Sequence, residues 1–231
     1  MAALGDEVNV NIFFHHHNIK VFENLILNNI GAYNFYVIMP HFYQDVSSIL
    51  MEIPKEKLLI LDIDVPKFGS DYAILHQDFE QNIYKGLLQA ELLVKKYKTL
   101  TLILSSNSFQ YTPVGIINGF EKFCFEKEIS HEIISNLEEE EHLQKDHAYL
   151  LFRENDLVRA INWSNNKGLK IGKDIGLLSY DDTPIKEILS EGISVISNDF
   201  ALMGKRAAEM ILSKEKGRFV NESRFIGRKS L

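Results

Sequence analysis

The sequence of 231 residues predicts an α/β protein in which parallel β-sheets are flanked by helices. Short apolar runs alternate with segments of helical periodicity along the chain, an order typical of parallel strands joined by helical crossovers. Some runs are almost continuously apolar, such as Leu58-Leu59-Ile60-Leu61 and Gly176-Leu177-Leu178, which indicates strands covered on both faces. Hydrophobic residues make up 45% and charged residues 25% of the chain, which favours a globular protein over a disordered one.

The elements follow from periodicity and from residues that stop strands and helices. In the segment 19–29, Val21, Leu25 and Ile26 lie near helical spacing, and Gly31 stands where a glycine commonly ends a helix. Pro40 stops the strand before it, and Gly168 ends another helix. The predicted strands are 8–14, 36–39, 57–61, 100–104, 132–134, 147–152, 175–179, 194–197 and 225–226. The predicted helices are 19–29, 46–50, 82–97, 114–127, 156–166 and 202–213, with a further one starting near Ile185.

Composition excludes several classes of protein. No stretch approaches the ~18 apolar residues that span a bilayer, and residues 1–11 have neither the basic nor the apolar region of a secretory signal. A single cysteine, Cys124, excludes an intramolecular disulfide framework. The net charge of −7 and the pI near 5.6 do not suit a chain that grips DNA with its whole surface. We therefore expect a cytoplasmic protein that handles a small molecule or a partner.

Polar residues follow many of the predicted strands. They are Asp62 and Asp64, Ser105 to Asn107, Arg153 and Glu154, Asp181 and Asp182, and Asn198 and Asp199. Ligands of open parallel sheets bind outside the carboxyl ends of the strands. Carboxylates accept hydrogen bonds from vicinal hydroxyls and arginine donates in a rigid fork, so this set suits a polyol. The alternative is that these residues cap helices or start turns, as Asp181-Asp182-Thr183-Pro184 would at a helix near Ile185.

Three further features point to other chemistry. His15-His16-His17 suggests a metal cluster, but neighbouring side chains of an extended segment face opposite ways, which argues against one shared ion. Asp62-Ile63-Asp64 matches the short DxD pattern of metal-dependent glycosyltransferases. Cys124 lies on an apolar helix face beside Phe120 and Phe123, a pattern that favours packing over nucleophilic chemistry. Familiar nucleotide-binding, hydrolase and metalloprotease motifs are missing, which favours a binding module.

Two long segments and the tail carry a family resemblance. Asp174-Ile-Gly-Leu-Leu-Ser-Tyr-Asp-Asp-Thr-Pro184 is followed by Gly192-Ile-Ser-Val-Ile-Ser197, Asp199-Phe200, Met203-Gly204 and Ala207-Ala208. The tail Phe225-Ile-Gly-Arg-Lys-Ser-Leu231 completes the pattern. Together they resemble the sensor domain of the lactose- and galactose-repressor family. Within this family, the sequence of these segments is most similar to winged-helix sugar repressors of the gluconate-repressor type in Bacteroidetes, which include an L-fucose-responsive one.

The resemblance implies a two-lobed fold of the periplasmic-binding-protein-like type I, each lobe a parallel sheet flanked by helices. The expected N-terminal lobe is 1–103 plus 199–217, and the expected C-terminal lobe is 104–198 plus 218–231. The sequence aligns from near the second strand of the family. We therefore expect the first strand and helix of the sensor lobe, and the DNA-binding domain, to be missing from it.

The resemblance also assigns candidate ligand-binding residues. Asp181 matches the family aspartate that binds sugar hydroxyls, and Asp62 and Asn198 match polar positions at the cleft between the lobes. The remaining candidates are Arg153 and Glu154 after one strand, Gln77 and Asp78 before a helix, and Phe79 and Tyr180 as aromatics that stack on a sugar. For these two aromatics the alternative is packing in the core or hinge. Ile116 stands where the family has an arginine, so either that clamp is lost or Arg153 replaces it.

The function implied is the sensing of a small sugar in the cleft, with lobe closure transmitted through a homodimer to DNA-binding domains. No catalytic residue, metal or cofactor is expected, and no membrane contact. DNA would be bound only through a domain outside this sequence. The alternatives are a sugar-binding transport protein, a DxD glycosyltransferase and a module that only dimerises. The effector stays open among L-fucose, L-arabinose, L-rhamnose, xylose and phosphosugars.

Overall fold

The computed structural model describes residues 4–5, 8–104 and 111–231. The chain forms two compact units, each built from separate stretches of sequence. The first unit lies within 1–78, 109–111 and 199–222, and the second within 79–108, 112–198 and 223–231. The expected fold class is confirmed: in each unit a mainly parallel sheet is flanked by helices.

The elements are numbered along the chain. The helices are α1 (Ile19–Asn29), α2 (Ser47–Leu50), α3 (Phe79–Gln89), α4 (Glu91–Val94), α5 (Val114–Glu126), α6 (Glu154–Asn166), α7 (Pro184–Ile188) and α8 (Phe200–Ser213). The strands are β1 (Tyr36–Ile38), β2 (Leu58–Asp62), β3 (Ala73–Gln77), β4 (Thr99–Ile103), β5 (His131–Ile134), β6 (His147–Leu151), β7 (Gly176–Tyr180), β8 (Ser194–Asn198), β9 (Gly217–Asn221) and β10 (Ser223–Ile226).

The first unit contains a four-stranded parallel sheet in the order β1-β2-β3-β9. Alternate residues of β2 face opposite sides, so Leu58 and Ile60 pack with α1 while Leu59 packs with α8. Helix α1 begins where the Asn18 side chain accepts the Lys20 and Val21 amides, and Gly31 follows it in the left-handed region at φ 85°.

The second unit contains a six-stranded sheet in the order β10-β8-β7-β6-β4-β5. Its strands are parallel except β10, which runs antiparallel to β8. Helices α3 and α5 cover one face and α6 contributes to the core on the other. Gly119 lets α3 and α5 approach closely, because a Cβ at this position would lie 2.3 Å from the backbone oxygen of Glu80.

Two predicted elements are wrong. Residues 8–14 form no strand: within the described part of the chain no strand pairs with them, and Ile12 and Phe14 are 65% and 70% exposed. The helix predicted over 82–97 is instead α3 and α4, interrupted at Ala90. Local periodicity reports a repeating apolar pattern but not whether a neighbouring strand exists to pair with it. Strands β3 and β9 were not predicted.

The division into units differs from the predicted lobe boundaries. Residues 79–103 fall in the second unit, because α3 packs on α5 and β4 pairs with both β5 and β6. Residues 218–222 fall in the first unit, because β9 pairs with β3. Sequence order alone does not reveal that these two segments belong to the other unit.

The search for membrane spans covered the described residues. Among them, no helix combines the length and the apolar character needed to cross a bilayer.

Candidate functional site

Asp62 is the centre of a polar cluster in the first unit. It ends β2 with φ at 76°, a left-handed conformation that aspartate adopts more readily than most residues. Gln77 ends the neighbouring strand β3, and its Nε2 donates to Asp62 Oδ1 at 2.5 Å. His41 Nε2 lies 2.7 Å from Asp62 Oδ2. We call these three residues the Asp62 cluster, in which each carboxylate oxygen has a protein partner.

Two rings lie near the imidazole of His41. The ring of His17 lies 6.5 Å from it and the ring of Tyr111 6.0 Å from it, both nearly parallel to it. Tyr43 contacts Tyr111 with ring centroids 4.9 Å apart. Burial raises the pKa of the Tyr111 phenol, which keeps this ring neutral. The Asp62 carboxylate therefore contacts His41, and His41 in turn lies beside the aromatic rings of Tyr111 and Tyr43.

Asp181 is the centre of the corresponding cluster in the second unit. It follows β7 directly and is also left-handed, with φ at 57°. Asn198 ends the neighbouring strand β8, and its Nδ2 donates to Asp181 Oδ1 at 3.1 Å and to the Tyr180 hydroxyl at 3.1 Å. Asn82 Nδ2 donates to Asn198 Oδ1 at 3.2 Å. We call these four residues the Asp181 cluster.

Lys186 fixes the backbone of the Asp181 turn. Its ammonium donates to the carbonyl oxygens of Tyr180 at 2.9 Å and of Asp181 at 2.8 Å, and the residue is only 3% exposed. Burial lowers the pKa of Lys186, while the negative charges of Glu154, Asp181 and Asp182 oppose that shift. The turn is therefore held by a buried cation from the helix that follows it.

Two neighbouring aspartates serve the fold. Asp182 forms a double hydrogen bond with the Arg228 guanidinium at 2.9 and 2.6 Å, which lowers the pKa of its carboxyl. Asp199 caps α8 by accepting the Leu202 amide at 2.8 Å. Thr183 occupies the N-cap of α7 without a side-chain bond, and Pro184 opens that helix. The capping interpretation therefore describes Asp199, whereas the N-cap residue of α7 makes no side-chain capping bond.

Arg153 and Glu154 lie where β6 leads into α6, beside β7 in the sheet. Arg153 Nε is 4.0 Å from Asp156, and Arg159 Nη1 is 3.7 Å from the same carboxylate on its other side. Asp156 is fully buried, and neither of its oxygens has a hydrogen-bond partner among the described residues. Arg153 is thus drawn toward a buried carboxylate of its own helix.

Asp78 and the two predicted aromatics, Phe79 and Tyr180, differ in their surroundings. Asp78 follows β3 in the first unit, whereas Phe79 begins α3 and packs against the core of the second unit. Tyr180 is buried and stacks on Phe152 with centroids 4.7 Å apart. Both aromatics thus make core contacts, and their stacking on a sugar stays a prediction. The polar stretch Ser105 to Asn107 lies outside the described residues.

The features that suggested other chemistry have ordinary partners. Asp64 forms an ion pair with Arg218, whereas Asp62 contacts His41 and Gln77. His15 packs between Phe22 and Phe42, and burial lowers its pKa. Among described residues, no three His, Cys, Asp or Glu side chains are placed to hold a metal ion.

Cys124 is buried in the core of the second unit. Burial raises the pKa of its thiol to about 12, so the thiolate that acts as a nucleophile does not form at neutral pH. The prediction that Cys124 packs rather than reacts agrees with this environment.

Sequence reasoning missed His41, Tyr111, Asn82 and Lys186. The position of His41 in the sequence could have identified it. His41 comes shortly after the end of β1, just as Asp62 stands at the end of β2. Asn82, Tyr111 and Lys186 lie outside strand ends, and only tertiary contacts bring them to the clusters.

Comparison with protein families and solved structures gives a consistent result. Residues 90–226 match the model of a periplasmic binding protein-like domain. A regulatory protein of the LacI family from Chloroflexus aggregans has a similar structure, with 17% identity, a TM-score of 0.72 and coverage of 95% of this chain and 83% of that one. The dimeric Lac repressor with an 11-residue C-terminal deletion gives 14% identity, a TM-score of 0.70 and coverage of 92% and 83%. No curated protein sequence matches the chain significantly.

Proposed function

We propose that this chain, which belongs to the periplasmic binding protein-like domain family, is the effector-sensing domain of a transcriptional regulator and that its effector is a small sugar. The similar solved structures are transcription regulators, including the Lac repressor and a LacI-family protein. They support the regulatory role over an enzymatic one. We further propose the winged-helix sugar-repressor type and a homodimer, as the sequence resemblance implies.

The observation that carries the sugar proposal is that an aspartate with the same backbone conformation and the same kind of partner occurs in both units. In each unit a left-handed aspartate stands at the carboxyl end of a central strand, and an amide from the neighbouring strand holds one of its oxygens. A carboxylate has about four lone-pair positions, so protein donors leave acceptor capacity for ligand hydroxyls. Such ready-made acceptors at strand ends suit a polyol.

In the proposed mechanism the sugar binds one conformation of the domain more tightly than another. Binding then shifts the population toward that conformation, and the dimer passes the change to DNA-binding domains of the regulator. The size of the response is set by the difference in affinity between the two conformations.

A thermal-shift screen against pentoses, hexoses, deoxyhexoses and their phosphates tests the proposal. A ligand that binds only the native state raises the melting temperature as its concentration exceeds its Kd. We expect one sugar to give this shift and Asp181→Asn to abolish it, because asparagine keeps the size and the left-handed backbone but loses the carboxylate.

Asp146→Asn is the matched control. Asp146 is also left-handed, with φ at 64°, but it precedes β6 and pairs with exposed Lys98 at the opposite end of the strands. We expect it to keep the shift. A protein that melts cooperatively and responds to no sugar would contradict the proposal.

The transport alternative shares this fold and is separated by oligomeric state. Light scattering of the purified chain, with and without the sugar, is expected to give a homodimer, whereas a monomer in both conditions favours a transport protein. The glycosyltransferase alternative needs Asp62 and Asp64 to hold one metal, yet Asp64 pairs with Arg218 and Asp62 with His41 and Gln77.

A further inference from the structure

We propose that Lys186 is a positioning residue for the sugar site: its ammonium fixes the turn that carries Asp181, and the affinity for the sugar depends on that contact. The inference rests on the proposed function and deepens it, because it assigns a role in binding to a residue that does not touch the sugar. All the contacts involved lie within the second unit.

The backbone of the Asp181 turn needs support from its surroundings. Asp181 is left-handed at φ 57°, a conformation that residues other than glycine keep where neighbouring structure imposes it. Its amide donates to the Ile196 carbonyl at 2.8 Å, and the Asp182 amide donates to Ser197 Oγ at 2.9 Å. Strand β8 thus holds the two amides of the turn.

Lys186 holds the carbonyl side of the same turn. Its Nζ donates to the Tyr180 oxygen at 2.9 Å and to the Asp181 oxygen at 2.8 Å. An ammonium carries three donors on one atom, so it can bind two adjacent carbonyls at once, and its charge strengthens both bonds. The turn therefore lies between β8 on its amide side and one cationic atom on its carbonyl side.

The backbone of Lys186 is anchored as well. Its amide donates to the Thr183 carbonyl at 2.9 Å, and its carbonyl accepts the Ile193 amide at 2.8 Å. Pro184, whose ring fixes φ, opens α7 two residues before it. Because the main chain of the lysine is held on both sides, its ammonium can fix the position of the turn.

The burial of this cation favours a specific role. Burial lowers the pKa of Lys186, while the negative charges of Glu154, Asp181 and Asp182 oppose that shift. Removing an ammonium from water costs stability, and neutral donors could satisfy the same two carbonyls without that cost. The cation nevertheless lies where it attracts the Asp181 carboxylate, which suits a group that holds this side chain in place.

The Asp181 carboxylate takes its position from the turn. Its Oδ1 accepts Asn198 Nδ2 at 3.1 Å, a contact that requires the backbone of Asp181 to stay aligned with the end of β8. A shift of the turn moves the carboxylate away from Asn198 and from the sugar hydroxyls that it accepts in the proposed function. Lys186 is 3% exposed, so it acts on the sugar through the turn and not by contact.

Calorimetric titration of Lys186→Met separates this role from a contribution to stability alone. L-Fucose is the first probe, followed by the sugar that raises the melting temperature most in the thermal-shift screen. The titrations are made at a temperature where circular dichroism shows every variant fully folded. We expect the Kd of Lys186→Met to be about tenfold higher than that of the unmodified protein, as when one charge-assisted hydrogen bond loses its geometry.

Val94→Ala is the control for stability. Val94 is 1% exposed in α4, which precedes β4 at the opposite end of the strands from Asp181, and its truncation leaves a cavity in the core of the same unit. We expect this variant to melt at a lower temperature and to keep the Kd of the unmodified protein. An equal loss of affinity in Val94→Ala and Lys186→Met would show general destabilisation and overturn the inference.

Lys186→Gln is a second variant for the case that Lys186→Met does not fold. Glutamine keeps an amide donor but loses the charge, so we expect its Kd to lie between those of the unmodified protein and Lys186→Met. A Kd equal to that of the unmodified protein in whichever of the two variants folds would overturn the role of Lys186.

Amide hydrogen exchange reports on the turn without any sugar. In Lys186→Met we expect the Asp181 and Asp182 amides to exchange about tenfold faster, because the carbonyl side of their turn has lost its donor. The Asp146 amide donates to the Asp174 carbonyl at 2.7 Å at the other end of the strands and is expected to keep its rate. Unchanged rates at Asp181 and Asp182 would overturn the assigned contact.

Failure of this inference and failure of the proposed function give different results. If the unmodified protein binds a sugar, Asp181→Asn does not, and the Lys186 variants bind as tightly as the unmodified protein, the inference is overturned while the sugar-sensing function stands. If no sugar binds the unmodified protein, the proposed function fails and the role of Lys186 in binding fails with it.

Discussion

The Asp62 and Asp181 clusters share the same local arrangement of an aspartate and an amide, but they differ in the other residues that tertiary structure brings into contact with them. Each has a left-handed aspartate at a strand end, bonded to an amide from the adjacent strand. In the first unit the second partner is the His41 imidazole, a side chain that is 27% exposed. In the second unit the network continues into the buried amides of Asn198 and Asn82.

The comparison shows that the local sequence places an aspartate at a strand end, whereas the residues packed around it decide how exposed and how rigid its carboxylate is. Asn198 and Asn82 are 5% and 4% exposed, and Lys186 anchors the neighbouring backbone, so the Asp181 cluster is fixed before any ligand arrives. His41 and its neighbouring rings are partly exposed and leave the Asp62 cluster more adjustable. We therefore expect the second unit to respond to changes in packing and the first to respond to mild acid through the buried His15.

The largest expected effect comes from the close helix pair that carries Asn82. In Gly119→Ala, the new Cβ would clash with the Glu80 backbone and force α3 and α5 apart. We expect the free energy of unfolding to fall by about 3 kcal/mol, measured by urea denaturation. The control is Gly204→Ala in α8 of the first unit, where nothing lies within 4 Å of the added Cβ.

That control is expected to act in the opposite direction. Alanine favours a helix over glycine, so Gly204→Ala should stabilise the protein by about 1 kcal/mol. A loss of stability of the same size in both variants would contradict the tight packing assigned to α3 and α5.

Removing the buried cation of the second unit is expected to have the next largest effect. Lys186→Met leaves the Tyr180 and Asp181 carbonyls without their charged donor, although it also relieves the burial of an ammonium. We expect a net loss of about 2 kcal/mol in thermal or urea unfolding. Lys98→Met is the control, because Lys98 is 79% exposed and its ion pair with Asp146 contributes about 0.5 kcal/mol or less.

Alkaline pH is expected to weaken the second unit through Cys124. Burial raises the pKa of its thiol from 9.0 to about 12 in the folded protein. The stability this group contributes is therefore fully present below pH 9 and is lost as the pH rises toward 12. The loss amounts to about 1.5 kcal/mol near pH 10, by the energy of one pKa unit.

Cys124→Ala removes that titration. We expect its unfolding free energy to decline less steeply above pH 9 than that of the unmodified protein, whatever the offset at neutral pH. Parallel pH profiles for the two proteins would show that the thiol is not buried in its neutral form.

The smallest expected effect is at mild acid in the first unit. Burial lowers the pKa of His15 from 6.5, so the unfolded chain takes up a proton at a higher pH than the folded one. Its contribution to stability is present above pH 6.5 and is lost as the pH falls through the folded pKa. His15→Phe keeps a ring against Phe22 and Phe42 and is expected to flatten the profile below pH 6.5. An unchanged acid slope would count against this burial.

What the sequence determined by itself is local. Helix α1 follows from Asn18, the apolar spacing and Gly31, and its bounds match the prediction because all three signals lie within a few residues. Asp62 and Asp181 could be singled out because an aspartate at the end of an apolar run is visible in sequence. The α/β class follows from the same alternation of short strands and helices.

What only tertiary structure decided is pairing. Residues 8–14 have the pattern of a strand but pair with no strand of the described residues, and β9 joins β3 from far along the chain. His41 reaches Asp62 across 21 positions and Asn82 reaches Asn198 across 116. The physical reason is that backbone and side-chain polar groups bond to whatever the fold brings near, and periodicity along the chain carries no information about that neighbour.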